Sequence, residues 1–144
     1  MPTSKITLPD INVWVALASD GHVHHGRAGD WFRATAEAGA AFCRVTQMGF
    51  LRLLTNTRVM GDDVLSQRQA WIVCEQLARD HRVVFAMEPV NIEPVWKKLT
   101  QSAFAATSLW TDAYIAAFAL LHNFHVVSFD SGFRRIRGLK STIL

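Results

Sequence analysis

The stretch Ile6-Thr7-Leu8-Pro9-Asp10-Ile11-Asn12-Val13 decides how the rest of the chain is read. A short apolar run enters a carboxylate and then an amide, and a helix over Val13 to Ala18 follows at once. Two later points have the same form. Asp112 stands at the start of a helix over Trp110 to His122, and Asp130 stands at the end of a strand over His125 to Phe129. In one parallel sheet, strand–helix units of this kind bring their carboxylates to the carboxyl-end rim, where open α/β sheets bind ligands. The three acids predict an acidic, cation-binding pocket of Asp10, Asp112 and Asp130.

Outward from these points, strand-like and helix-like segments alternate. A helix is expected from about His24 to Ala38, with Ala28, Trp31, Phe32, Thr35 and Ala36 on one face and Gly39 as its stop. Ala40 to Val45 reads as a buried strand. Thr46 is the expected cap of a helix from Gln47 to Thr55 that turns Met48, Phe50, Leu51 and Leu54 inward. Asn56 to Asp63 is expected as a loop. Asp63 or Ser66 opens a helix to Asp80, with Ala70, Trp71, Cys74, Leu77 and Ala78 at helical spacing. Arg82 to Met87 reads as a strand, Ile92 to Thr100 as a helix and Ser102 to Ser108 as a loop. The helix over Trp110 to His122 sets Ala113, Ala116, Ala117, Leu120 and Leu121 on one stripe. The near-continuous apolar run His125 to Phe129 suits a central parallel strand. Arg134 to Arg137 forms a short basic turn, and Thr142 to Leu144 a last edge strand. The alternation predicts a single three-layer α/β/α domain over residues 1–144 with a mainly parallel central sheet.

The composition sets bounds on this reading. Half of the 144 residues are hydrophobic, enough for a real core. No apolar run is long enough to cross a membrane, and no export signal is evident at the start, so a cytoplasmic protein is expected. Cys43 and Cys74 lie in apolar runs without zinc or redox spacing and read as small buried hydrophobes. A net charge of +3 with a pI near 9.2 suits an anionic partner. Since the pocket is acidic, that positive charge must lie around it.

Each acid alone has a local explanation. Asp10 can cap the helix that follows it, Asp112 suits a helix N-terminus, and Asp130 before Ser131-Gly132 suits a turn. Together at one rim they repel one another, and such a cluster persists when protonated or neutralised by a cation. Oxygen-only ligation fits Mg²⁺ or Mn²⁺ rather than zinc. Asn12 can add an amide oxygen or position a water, and Thr111 can bond a neighbouring carboxylate. Phosphodiester hydrolysis is the chemistry this suits. Arg134, Arg135, Arg137, Lys140, Arg52, Arg58, Lys97 and Lys98 could grip phosphates without reading sequence.

Four segments carry a resemblance to a known family. Leu8 to Trp14, Thr46 to Asn56, Trp110 to Tyr114 and Val127 to Phe133 resemble, in order, the motifs of PIN-domain proteins and specifically of VapC-type toxins of bacterial toxin–antitoxin modules. The resemblance implies a Mg²⁺- or Mn²⁺-dependent endoribonuclease that cuts structured RNA such as tRNA or ribosomal RNA. It also implies a homodimer and silencing by a VapB-type antitoxin, whose arginine would cover the acidic pocket. Asp10, Asp112 and Asp130 would be the metal-site acids, with Asn12 and Thr111 as polar supports. The family's usual third-helix glutamate has Gln47 as its nearest match here, which leaves three carboxylates rather than four.

Other readings stay open beside this one. His22, His24 and His25 lack a fourth ligand at zinc spacing and read as surface or capping residues, with an RNA or antitoxin contact behind. The tryptophans read as core, except that Trp110 could line a substrate groove. A receiver-type signalling domain also gathers acids around Mg²⁺, but the lysine and mid-chain aspartate it needs are not evident. A PIN-like RNA-binding module without catalysis is the remaining alternative.

Overall fold

The computed structural model describes residues 5–101 and 105–144; residues 102–104 of the expected loop and the first four residues lie outside it. The sheet is organised around β1 (Thr7–Pro9), which pairs with β2 (Ala40–Phe42) on one side and β4 (His125–Ser128) on the other. Beyond them lie β3 (Val83–Phe85) and β5 (Ser141–Ile143), giving the order β3-β2-β1-β4-β5 with every pair parallel. The chain starts in the centre, runs outward to β3, then crosses back to β4. That reversal puts the topological switch point, and its ligand-binding crevice, between the ends of β1 and β4. Asp10 follows one of those strands directly, and Asp130 lies just past the other.

Helices cover both faces. On one, α6 (Ile92–Leu99) and α7 (Leu109–His122) pack over Leu8, Ala41 and Val126. On the other lie α1 (Ile11–Ala18), α2 (His25–Arg33), α3 (Arg44–Leu54) and α5 (Gln67–Arg79), around Trp14, Phe42, Phe50 and Val83. The Trp14 ring stacks on Phe42 with centroids 3.9 Å apart. The three-layer α/β/α architecture is thus the expected one. Where α3 crosses the first turn of α1, Gly49 permits the approach. A Cβ on it would lie 2.2 Å from Ile11 Cδ1, in the residue next to Asp10.

Several local expectations change. The helix after His24 ends at Arg33 rather than Ala38, because the chain must bend back into β2 and does so through Ala38 at φ +53°. Thr46 does not cap α3. Cys43 occupies the cap position, and the Thr46 hydroxyl, one turn inside the helix, accepts from the Cys43 N–H at 3.0 Å. Residues expected as a loop from Asn56 form a one-turn helix, α4 (Thr57–Met60), capped by the Asn56 side chain, and a 3₁₀ turn over Gly61–Asp63. The strands are shorter than expected, since pairing stops once each has crossed the narrow sheet. In α7, every residue from Ala113 to Ala119 is buried while Leu121 is exposed. Alanines on several sides let this helix sink between its neighbours, so an amphipathic stripe was too narrow a reading. Met48 and Trp71, expected inside, are 51% and 48% exposed.

Candidate active site

Asp10 leaves β1 with extended backbone and caps α1, its Oδ1 accepting from the Ile11 N–H at 2.8 Å. Its backbone N–H continues the ladder to the Val127 carbonyl oxygen at 2.8 Å, which ties the residue to the end of β4. Its second oxygen, Oδ2, accepts from the Ser128 hydroxyl at 2.8 Å. The side chain is therefore held from two elements, and each oxygen retains a lone pair for another partner. Asp130 sits two residues beyond β4, where Oδ1 accepts from the Gly132 N–H at 2.8 Å and caps a 3₁₀ turn over Ser131–Arg135. Asp112 approaches from the first turn of α7. The capping roles expected of Asp10 and Asp130 are present and fix those two carboxylates, while Asp112 lies in the first turn of α7, where Ser108 holds the cap position.

Asp10, Asp112 and Asp130 lie near enough for their charges to act on one another. Burial pushes the Asp10 carboxyl above its usual range, against the opposing hydrogen bonds from Ser128 and Ile11, and the Asp130 charge pushes in the same direction as burial. Asp112 is pushed up to about 6, first by burial and then by the charges of Asp10 and Asp130. Among the described residues, none of the three has a cationic partner within ion-pair distance. Like charges without a counter-charge in a half-buried place raise pKa values in this way.

The donor set fits a hard divalent cation, being carboxylate oxygen throughout. Among the described residues, no three His, Cys, Asp or Glu side chains converge closely enough to enclose an ion unaided. A cation here would complete its shell with water, as Mg²⁺ commonly does.

Sequence reasoning missed Ser128. It is fully buried, donates to Asp10, and accepts from the Asp130 N–H at 2.9 Å, so one hydroxyl links two of the acids. The signal was a single hydroxyl ending an otherwise apolar strand just ahead of an acid. Asn12 reaches the same strand end: its amide donates to Ser128 Oγ and accepts from the Phe129 N–H, both at 3.5 Å. Thr111 adjoins Asp112 in the first turn of α7, half-buried. Gln47 does not reach the pocket. Its Oε1 accepts from Arg44 and its Nε2 points to Cys74 Sγ at 3.8 Å, towards α5. Glu88 is engaged elsewhere, accepting the Tyr114 hydroxyl at 2.6 Å.

Comparison with known proteins gives a consistent answer. The family model for the PIN domain matches residues 7–139. Ribonuclease VapC41 of Mycobacterium tuberculosis H37Rv is 39% identical over 142 residues, covering 95% of this chain and 97% of its own. Ribonuclease VapC38 of the same strain is 31% identical over 128 residues, covering 88% and 86%. Among solved structures, Mycobacterium tuberculosis VapC20, a toxin that cleaves the sarcin–ricin loop, superposes with a TM-score of 0.68 at 18% identity, over 89% of this chain and 92% of its own. VapBC2 from Rickettsia felis, bound to a DNA fragment from its promoter, gives 0.68 at 12% identity, over 96% and 98%. These two structural likenesses concern the fold alone.

Proposed function

The chain belongs to the PIN-domain family, among its VapC ribonucleases, and we propose that it is a metal-dependent endoribonuclease toxin working at the pocket of Asp10, Asp112 and Asp130. The observation that carries this reading is Asp10 and Asp130 at the switch point of the sheet, with Asp112 near enough for their charges to act on it and no cation of the protein's own within ion-pair distance among the described residues. Asp10, Asp112 and Asp130 would hold Mg²⁺ or Mn²⁺. Such an ion lowers the pKa of a bound water and stabilises charge on a phosphate. Ser128 orients the Asp10 carboxylate, and Asn12 braces the end of β4 that carries Asp130. Thr111 lines the approach beside Asp112. The exposed Arg134, Arg135, Arg137 and Lys140, which follow Asp130 in the chain, are placed to hold the RNA backbone outside the acidic centre.

The partner in the cell would be a VapB-type antitoxin whose arginine enters the pocket and supplies the missing positive charge. Among the described residues, no helix is long and apolar enough to cross a membrane, which agrees with action in the cytoplasm. Exposed Met48, Trp71 and Ile72 lie on the faces of α3 and α5, beside a cleft of about 470 Å³. Apolar exposure of this size supports a protein-facing surface there, and a homodimer would use it.

The test is cleavage of structured RNA by purified protein with Mg²⁺, Mn²⁺ or EDTA, beside Asp10→Asn and Asp112→Asn. Metal-dependent cutting that both substitutions abolish is the expected result. Equal cutting by all three proteins would place the activity outside this pocket.

A further inference from the structure

We propose that His24 and Phe129 form a stacking ledge for one unpaired nucleobase, seated beside the carboxylate pocket and next to the phosphate to be cut; this rests on the ribonuclease reading above. The two rings lie nearly parallel, 4.4 Å apart at the centroids and inclined by 16°. Both are only partly buried, and neither belongs to either of the molecule's hydrophobic clusters. Phe129 is the residue between Ser128 and Asp130, and Asn12 holds its N–H, so the ledge is attached to the pocket wall itself.

The loop that brings in His24 is anchored on both sides. The His24 N–H donates to His22 Nδ1 at 3.0 Å, and the His25 ring bonds to the Ala16 carbonyl oxygen of α1 at 2.8 Å. Among the described residues, the His24 ring itself makes no hydrogen bond or ion pair. A flat ring held in place and stacked on Phe129, with the His22 ring 5.8 Å away and tilted by 44°, is a surface against which a base can stack. Every base has a π-face, so such a platform takes any sequence and seats a single-stranded nucleotide while basic side chains hold the phosphates. The three histidines at the start of α2 thus divide the work: His22 and His25 tether the loop, and His24 presents a ring.

The test is equilibrium binding of a short oligoadenylate RNA, and of an equally long abasic ribose-phosphate chain, with Ca²⁺ replacing Mn²⁺ and RNA integrity checked on a gel. His24→Ala should weaken oligoadenylate binding by about five- to tenfold, leave the abasic chain unaffected, and be rescued by His24→Tyr. If His24→Ala unfolds, His24→Leu gives the same comparison with bulk but no π-face. Unchanged affinity, an equal loss on the abasic chain, failed rescue by Tyr, or no oligoadenylate binding by the wild type would each overturn the ledge. Cleavage of the same RNA in Mn²⁺ separates the two readings. Ring-dependent binding without cutting sinks the ribonuclease reading alone, and cutting with ring-independent binding sinks the ledge alone.

Discussion

Asp80 and Asp112 are chemically identical side chains in opposite circumstances. Asp80 faces Arg82, which donates to its Oδ1 from Nε at 2.9 Å and to its Oδ2 from Nη2 at 2.8 Å. Those bonds hold its carboxyl at about 2. Arg82 is itself settled, its guanidinium 3.9 Å from the Phe32 ring centroid and bonded to the Phe32 carbonyl oxygen. Asp112 meets burial and two more carboxylates, and is pushed to about 6. One arrangement satisfies its charges within the chain and serves the fold. The other leaves them unsatisfied, and a site that destabilises its own resting charge is suited to something that arrives from outside.

The largest expected effect concerns that unsatisfied charge. Asp112→Asn should reduce RNA cleavage by more than about a hundredfold, beyond what loss of an outer supporting residue costs a metal site. Without metal at pH 7 it should also unfold no more easily than wild type, and the midpoint should rise by about 3 °C. The sign follows from linkage. A carboxyl whose folded pKa is raised binds its proton more tightly when folded, so wild-type stability falls as the pH rises from about 4 to 6. The gain from Asp112→Asn should open over that window and vanish below it. A variant less stable than wild type at pH 7 would mean that Asp112 has a partner and that the contrast with Asp80 is false.

A cation sharpens the same contrast. Excess Mn²⁺ should raise the thermal midpoint of wild type at pH 7 by mass action on the folded state. The rise should shrink as pH falls through about 6, where Asp112 protonates, and should be much smaller in Asp112→Asn. Asp80→Asn should show the full wild-type response. Calorimetric scans with and without Mn²⁺ at two pH values decide it.

Ser128→Ala comes next. The change takes a donor from Asp10 and an acceptor from the Asp130 N–H, costing about 1–3 kcal/mol of stability. Cleavage should fall by about ten- to a hundredfold, the range for outer partners of metal ligands. Ser128→Thr should recover most of the stability if its methyl group finds room. Full activity in Ser128→Ala would mean that Asp10 does not depend on this hydroxyl.

The sequence exposed the acids because each stood at the boundary of an element, Asp10 between strand and helix, Asp112 at a helix start and Asp130 just past a strand, and local patterning marks such boundaries well. Ser128 escaped because its importance lies in a partner 118 positions away, and one hydroxyl in an apolar strand carries no pattern. Gln47 misled for a related reason. Its position in the motif suggested the pocket, but helical rotation turns it towards Cys74, while Gly49, on the side that meets α1, comes against Ile11. The His24–Phe129 stack joins residues 24 and 129 through the fold alone. Trp71 and Met48 fitted a buried helical face by spacing, yet they remain exposed because no element of this chain covers that side of α3 and α5 among the described residues.

The smallest effect belongs to Asp80→Asn, and its pH dependence makes it informative. Asn cannot accept two charge-assisted bonds from Arg82, so at pH 7 the variant should lose about 1 kcal/mol, the scale of a partly exposed charged hydrogen-bonded pair. Here the folded carboxyl is depressed. Its contribution is therefore complete above the ordinary value of 3.8 and is lost as pH falls through about 2. The stability difference between wild type and Asp80→Asn should be constant from neutral pH down to about 4, then close. The difference for Asp112→Asn should have the opposite sign and close from pH 6 downward. RNA cleavage by Asp80→Asn should match wild type. Denaturant titrations of the two variants across pH 2 to 7 would show two curves bending in different windows. Curves of the same sign would mean that both acids serve the fold, and the claim that the pocket is set apart by its uncompensated charge would fail.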